Sequence, residues 1–350
     1  MEFVEILKDH KKKLIVLVIL LIILAILLFL LMRKKAESQI VTEGFTYIGS
    51  INGLSTPLAV ATDGNQNIYV SNTGVGQVTV YNRDGNKKFD INNTTDEAGK
   101  PLKFNGPYGI AVDDVHNKMY VCDYTWRGVR VLDKDGHFLY NLPKDPKTDL
   151  KNNPNIGFEP FGVAVAGDRV FVSGQDGLFI FDSDGNYIEH LGTYGNGKGQ
   201  FEFADAIAVD PKTKNIFMAD TLNRRITCLT MDGKLRWTLG SPDKNGQVTS
   251  PLQLPRGIAV GPDGLVYVSD TFAQKIIVLD QNGNLKSMFG NRGVQASEIN
   301  FPEGIAITST RRMYIDDREN GRVQIWQLAD PLPAASTKDV TNFAKDLQKY

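Results

Sequence analysis

The chain has 350 residues, of which 42% are apolar and 23% are charged, and its formal net charge is −1 at pH 7. This length and apolar content suffice for one large folded domain with appendages. Without its first 35 residues the chain keeps 32 basic and 37 acidic side chains, a net charge of about −5. Because nucleic-acid binding needs a basic surface, we expect no nucleic acid among its partners.

The N-terminal region predicts a membrane anchor. A short basic tail over residues 1–13 precedes an unbroken apolar run over residues 14–32. At ~1.5 Å per residue, a helix of this run spans roughly 28 Å, enough to cross the hydrocarbon core. A cleaved secretory signal is the competing interpretation, but its apolar region is usually shorter and ends in small residues. Here the run ends at Met32-Arg33-Lys34-Lys35, which favours a retained transmembrane helix followed by a linker over 33–44.

The basic residues beside the run bear on membrane orientation. Four precede it and three follow it, so their number alone decides little. The adjacent Lys11, Lys12 and Lys13 make the short tail costly to translocate, whereas long domains cross largely regardless of charge. We therefore expect a single-pass membrane protein with its large domain on the extracytoplasmic side.

The rest of the chain is built from a recurring unit, seen best in residues 254–271. In it, Gly257 precedes the short apolar strand Ile258-Ala259-Val260, and a Pro-Asp-Gly turn leads to the strand Val266-Tyr267-Val268. The central alanine of the first strand recurs every 44 to 53 residues, at Ala59, Ala111, Ala164, Ala208, Ala259 and Ala306. A repeat of this period is typical of solenoids, propellers and arrays.

Further strands complete each unit. A third apolar strand follows, and a hairpin turn then leads to a fourth; five such turns stand at Asp84-Gly85, Asp135-Gly136, Asp184-Gly185, Asp232-Gly233 and Asn282-Gly283. Four antiparallel strands repeated six times predict an all-β, six-bladed β-propeller over residues 45–330.

The sixth unit lacks its fourth strand. After Val323-Gln324-Ile325-Trp326 there is no hairpin turn, whereas residues 45–49 resemble the fourth strands of the other units. We expect this N-terminal strand to close the ring, because closure leaves no open sheet edge. The remaining residues, 331–350, form a C-terminal tail in which Val340, Phe343 and Leu347 have the spacing of a short helix.

The repeats resemble NHL repeats, a family of six-bladed propellers. The resemblance rests on the pattern Phe-x-Pro-x-Gly-Ile-Ala-Val followed by Tyr-Val-Ser/Ala-Asp, and it extends from about Phe45 to Leu328. It implies an NHL-type propeller behind the N-terminal helix. Because propellers carry many unrelated activities, it implies no particular function.

Two enzymatic propeller types provide a comparison. Resemblance to peptidyl-amidoglycolate lyases would imply a zinc ion held by three channel histidines, but His116, His137 and His190 all stand outside the predicted inner strands. Resemblance to gluconolactonase-like propellers would imply a channel asparagine before Gly-Ile-Ala, where Arg256 stands here. Both departures favour a protein without catalytic activity, and no cofactor is predicted, with calcium left open.

The candidate binding site is the mouth of the channel. The residue before each Gly-Ile-Ala or its equivalent is predicted to face it, which gives Thr56, Tyr108, Phe161, Asp205, Arg256 and Glu303 in blade order. On a closed ring, Tyr108 and Phe161 would form an aromatic half beside a charged half. Such a mouth suits a protein or peptide segment.

A second set of candidates follows the second strands. Four aspartates recur there, Asp123, Asp220, Asp270 and Asp317. They are either ligand-binding groups at the mouth or structural groups that accept hydrogen bonds from loop amides, as turn carboxylates do.

Together these observations predict a membrane-tethered binding or scaffold module for a protein or peptide ligand. The alternative is a metal-dependent lyase or hydrolase that uses the acidic mouth.

Overall fold

The computed structural model describes residues 18, 21–24, 41–42, 44–92, 94–95, 100–144, 157–242, 248–333, 341 and 343. It contains two compact units, residues 1–41 and residues 42–350. In the first unit, Val18 and Leu21–Leu24 are helical with side chains about half exposed. Among the described residues, no helix has the length and apolarity needed to cross a membrane. Most of the run proposed as a transmembrane helix, residues 14–32, lies outside the described residues.

The second unit is a six-bladed β-propeller, which confirms the fold predicted from the repeats. Each of blades 1 to 5 is a four-stranded antiparallel sheet whose strands follow one another in sequence from the inner to the outer strand. The strands of blades 1 and 2 are Pro57–Thr62, Ile68–Asn72, Gln77–Tyr81 and Lys87–Ile91, then Pro107–Asp113, Lys118–Asp123, Gly128–Asp133 and Phe138–Leu142. Those of blades 3 and 4 are Pro160–Ala166, Arg169–Gly174, Gly177–Asp182 and Tyr187–Leu191, then Ala204–Asp210, Asn215–Asp220, Arg225–Thr230 and Leu235–Leu239. Those of blade 5 are Pro255–Val260, Val266–Asp270, Lys275–Leu279 and Leu285–Phe289.

Blade 6 takes strands from both ends of the unit. Its first three strands are Pro302–Ile307, Arg312–Asp317 and Arg322–Leu328, and its outer strand is Phe45–Asn52. The outer strand pairs antiparallel with the third, from Phe45 opposite Leu328 to Asn52 opposite Arg322. The N-terminal strand therefore fills the position of the missing fourth strand and covers the sheet edge.

Short elements lie in the connections. Two-stranded ribbons join Thr94–Thr95 to Pro101–Leu102, Thr193–Tyr194 to Gln200–Phe201, and Ser241–Pro242 to Val248–Thr249. Single 3-10 turns cover Thr73–Val75 and Arg318–Asn320, and a further short strand covers Val41–Thr42. In the C-terminal tail, Thr341 and Phe343 are helical, and Phe343 is buried in the apolar cluster between blades 4 and 5. The rest of the predicted tail helix lies outside the described residues.

Six apolar clusters, one between each pair of neighbouring blades, form the core. The second and third strands are buried almost without alternation, because neighbouring blades cover both of their faces. The outer strands are less buried, and in Leu285–Phe289 the buried Ser287 and Phe289 alternate with the more exposed Lys286 and Met288. Gly257 explains the glycine of the repeat: a Cβ there would collide with the Glu303 carbonyl of the next inner strand. The inner strands can therefore converge at the axis.

The antiparallel order gives the propeller two different faces. On the face that we call the mouth face, the inner strands begin and the second strands turn into the third strands. The opposite face, the hairpin face, carries the Asp-Gly and Asn-Gly turns, and the N-terminal strand begins there at Phe45 opposite Leu328.

Candidate functional site

Four of the predicted mouth residues, Tyr108, Asp205, Arg256 and Glu303, come together at the channel, each from a different inner strand. A cavity of about 70 Å³ lies there and is lined by all six inner strands. Its lining combines Leu58, Tyr108, Asp205, Arg256 and Glu303 with the apolar side chains that follow them, among them Ile110, Ile207, Ile258 and Ile305. Water occupies about 30 Å³ in the liquid, so the cavity has room for one small chemical group. A larger ligand would have to lie over it, on the mouth face.

The prediction of Thr56 at the mouth is wrong. The strand pairing places Pro57 opposite Asn72 and Ala59 opposite Ser71, as Pro255 lies opposite Asp270 and Gly257 opposite Ser269. Ala59 is therefore the equivalent of Gly257, and Leu58 is the blade 1 residue at the cavity. The repeated alanine of blade 1 is accordingly Ala61, two residues after the one chosen from sequence.

Arg256 is the centre of the charged half. Its Nη1 donates hydrogen bonds to Tyr108 Oη at 3.1 Å and to Glu303 Oε2 at 3.3 Å. Its Nε lies 3.5 Å from Asp205 Oδ2. One guanidinium from blade 5 thus contacts side chains of blades 2, 4 and 6 across the channel.

Arg318, which the sequence reasoning missed, extends this cluster. It follows the second strand of blade 6, and its Nη1 donates a hydrogen bond of 2.7 Å to Glu303 Oε1. Its guanidinium also lies 5.1 Å from the ring centre of Phe301. Glu303 therefore lies between two guanidinium groups, one on each carboxylate oxygen.

The acidic and basic side chains of this site differ in their exposure to solvent. The side chains of Asp205 and Glu303 are 0% and 2% exposed, whereas those of Arg256 and Arg318 are 25% and 23% exposed. Burial raises the pKa of Asp205 to about 6 and that of Glu303 to about 7, and the nearby Arg256 guanidinium partly offsets both shifts. Burial likewise raises the pKa of Tyr108, which keeps its hydroxyl protonated.

Asp316 is a further buried acid next to this cluster. It is fully buried, and neither of its carboxylate oxygens has a hydrogen-bond partner among the described residues. Burial, with the charges of Glu303 and Asp317, raises its pKa well above the usual range. Blades 1, 3 and 5 have serine at this position, Ser71, Ser173 and Ser269.

The aromatic half is arranged differently from the expectation. Tyr108 and Phe161 do contact each other edge to face, with ring centres 5.9 Å apart. Phe161, however, is only 1% exposed, because Phe203 stacks on it at 4.1 Å and Tyr124 at 5.8 Å. Around Phe161, a ligand can therefore reach the exposed ring of Tyr124 and the partly exposed rings of Tyr108 and Phe203. Tyr124 and Phe203 are not among the residues predicted from the sequence.

The four aspartates after the second strands hold loops in place. Asp123 accepts hydrogen bonds from the amides of Asn105, Gly106 and Trp126. Asp270 does the same with the amides of Gln253, Leu254 and Ala273.

Asp220 and Asp317 each accept hydrogen bonds from one loop amide and from an arginine side chain. Their amide partners are Glu202 and Asn300, at 2.9 and 2.6 Å. Arg225 Nε and Arg322 Nε donate to them at 2.7 and 2.6 Å. All four aspartates are fully buried, which fits the structural interpretation, and their binding role stays a prediction.

Exposed apolar side chains concentrate on the mouth face. Its second-to-third-strand turns carry the exposed residues Val75, Tyr124, Trp126, Leu222 and Phe272, which we call the apolar rim. Their exposed fractions lie between 39% and 56%. In the part of the propeller that the structure describes, the hairpin-face loops carry one large exposed apolar side chain, Val115.

The histidines lie away from the channel. His116 and His137 contact Asp113 and Asp133 beside hairpin-face turns. His190 lies against Phe179 in blade 3, with ring centres 4.3 Å apart. No group of three or more metal-ligating side chains occurs among the described residues.

Comparison with known proteins agrees with the fold. Residues 159–248 match a family model described as a 6-bladed beta-propeller. The chain is 24% identical over 261 residues to Protein SUPPRESSOR OF QUENCHING 1, chloroplastic, of Arabidopsis thaliana, which covers 63% of this chain and 25% of the relative. It is 29% identical over 99 residues to NHL repeat-containing protein 3 of Homo sapiens, covering 27% of this chain and 28% of the relative. The chain therefore spans little more than a quarter of the length of these relatives.

Among solved structures, the chain is similar to a streptogramin B lyase. The TM-score is 0.53 at 14% identity, and the match covers 83% of this chain and all of the other. At this identity the similarity concerns the fold alone.

Proposed function

We propose that this chain, an NHL-type six-bladed β-propeller, is a non-catalytic binding module whose mouth face takes a protein or peptide segment. The observation that carries the proposal is the apolar rim around a polar channel mouth. Protein interfaces combine aromatic and apolar contact area with a few polar groups, and exposed apolar patches mark such sites. Because the cavity itself holds only one small group, the segment would lie across the rim and insert one side chain.

Enrichment of displayed peptides tests this proposal. The purified full chain is immobilised and challenged with a library of random peptides. The rim variant carries Leu222→Ser and Phe272→Ser, and the control carries Ile188→Ser and Leu235→Ser, which replace similarly exposed side chains on outer strands. We expect peptides enriched by the parent to be retained by the control and lost by the rim variant. Failure to enrich any peptide, or equal retention by both variants, would contradict the proposal.

Metal analysis distinguishes the binding module from the alternative, a metal-dependent lyase or hydrolase. A binding module needs no metal ion, whereas that enzyme would hold one in stoichiometric amount. Calcium or zinc bound one to one in the purified full chain would therefore favour the enzyme.

We further propose that residues 14–32 tether the propeller to a membrane, with the propeller on the extracytoplasmic side. The length of the apolar run and the basic residues around it support this proposal. Protease added to intact cells should then digest or release the propeller. Full protection until the membrane is permeabilised would show the opposite orientation, with the propeller on the cytoplasmic side.

A further inference from the structure

The mouth face presents two guanidinium groups to a ligand, while the acids that hold them lie underneath. Arg256 and Arg318 are about a quarter exposed, whereas Asp205 and Glu303 are almost completely buried. A ligand that lies over the mouth therefore meets the arginines first. The hydrogen-bond donors of these two side chains that have no partner among the described residues therefore determine which ligand group can bind there.

Both arginines have donors left for a ligand. Arg256 uses Nη1 for Tyr108 and Glu303, and Arg318 uses Nη1 for Glu303 and Nε for Glu319. In neither residue does Nη2 donate a hydrogen bond to any described residue. Because guanidinium groups favour the planar geometry of carboxylates, such free donors suit a carboxylate ligand.

Glu303 fixes the distance between the two groups. Each of its oxygens accepts a hydrogen bond from a different arginine, at 3.3 and 2.7 Å, so one carboxylate bridges both guanidiniums. A second carboxylate above them would meet the same pair of cations from the solvent side. Binding costs little reorganisation when the donors are already held in position.

The surroundings favour a carboxylate that belongs to an apolar segment. Phe301 lies beneath Arg318, and Tyr124 and Phe203 present ring surface on the neighbouring side of the mouth. Side chains on either side of an acidic residue would contact this aromatic surface and the apolar rim.

We propose that the mouth recognises an acidic side chain of a peptide, with apolar neighbours, through Arg256 and Arg318. This inference rests on the proposed function and names the ligand chemistry of the same site. Arg318 is the better residue to vary, since removing Arg256 would leave two buried acids without their shared cation.

Three peptide libraries with a fixed central residue test the inference. Their centres are Glu, the isosteric Gln, and Lys, with randomised flanks and blocked ends, and each is passed over the immobilised full chain. We expect the parent to retain the Glu library at least tenfold better than the Gln library. Arg318→Gln should abolish that preference, and Arg318→Lys should keep part of it.

The matched control is Arg311→Gln, which removes an arginine bonded to Asp330 at the hairpin face and should leave the preference intact. Equal retention of the Glu and Gln libraries, or preference for the Lys library, would overturn the inference while leaving the binding function standing. Retention of no library would instead refute the binding function, and the inference with it.

Discussion

Asp316 occupies in blade 6 the position that Ser269 occupies in blade 5, directly before the loop-holding aspartate. The Ser269 hydroxyl donates a hydrogen bond to the Glu303 carbonyl of the next blade. Asp316 has no partner for either oxygen among the described residues and is fully buried. A carboxyl group thus stands in blade 6 where the other five blades have a neutral side chain, namely a serine in blades 1, 3 and 5, Cys122 in blade 2 and Ala219 in blade 4.

Replacing this acid should stabilise the protein at high pH. Burial raises the folded-state pKa of Asp316 well above its unfolded value, so the folded form binds the extra proton and its stability falls as the pH rises. Asp316→Ser should therefore increase the free energy of unfolding at pH 8 by about 1–3 kcal/mol. It should also make the thermal midpoint less dependent on pH between 5 and 8.

Ser269→Asp is the matched reverse change, and it should lower the midpoint at pH 8 more than at pH 5. Glu303 and Asp317 face Asp316 and remain in every variant. A lower midpoint for Asp316→Ser at pH 8 would show that the carboxylate has a stabilising partner.

The outer strand of blade 6 should contribute strongly to stability. Phe45 is 1% exposed and stacks on Phe289 of blade 5 with ring centres 4.0 Å apart. Phe45→Ala should cost about 3–5 kcal/mol, because it removes buried area and leaves a cavity. Ile48→Ala, on the exposed side of the same strand, should cost less than about 1 kcal/mol. Chemical denaturation measures both, and equal effects would contradict the account of ring closure.

The sequence predicts the blades better than it predicts the site. Six repeats of strand pattern and turn chemistry indicate the propeller, because those signals are local. In blade 1, however, Ala59 replaces the glycine of the repeat, and aligning on this alanine shifted the predicted mouth residue from Leu58 to Thr56. The register of this inner strand is fixed only by its pairing with the second strand, and the sequence pattern alone does not show that pairing.

The sequence does contain a signal that points to Arg318 as a site residue, at one position of the repeat. The residue after the loop-holding aspartate or asparagine is threonine in three blades, where its hydroxyl donates to a proline carbonyl of the next blade, namely Thr73, Thr221 and Thr271. Tyr124, Gln175 and Arg318 depart from that pattern, and two of them lie in the candidate site. The burial of Phe161 has no such signal, because it depends on how Phe203 and Tyr124 pack.

Phe161 and Tyr124 should respond differently to truncation. Phe161 is buried between other rings, so Phe161→Ala should cost about 3–5 kcal/mol of stability. Tyr124 is 52% exposed, so Tyr124→Ala should cost less than about 1 kcal/mol and act mainly on ligand binding. Thermal midpoints and peptide retention, measured on both variants, separate the two roles. A large stability loss for Tyr124→Ala would place this ring in the core rather than at the ligand surface.

The affinity for an acidic peptide should rise as the pH falls from 8 to 6. Across this range Glu303 and Asp205, with pKa values of about 7 and about 6, take up protons, which removes negative charge beneath Arg256 and Arg318. Arginine side chains stay charged throughout this range. The raised pKa of Tyr108 keeps its hydroxyl protonated, and burial also raises the pKa of Asp316, which faces Glu303. The carboxylate of a peptide glutamate stays ionised above pH 6. Attraction should therefore grow by about 1 kcal/mol, or roughly fivefold in affinity.

Fluorescence anisotropy with one Glu-centred peptide and its Gln-centred counterpart measures this effect. The Gln peptide should show almost no pH dependence, because it carries no charge at its centre. Glu303→Gln should flatten the dependence for the Glu peptide, since it removes the group that titrates nearest to both guanidiniums. An affinity that falls on acidification would mean that the ligand interacts with the ionised buried acids rather than with the arginines.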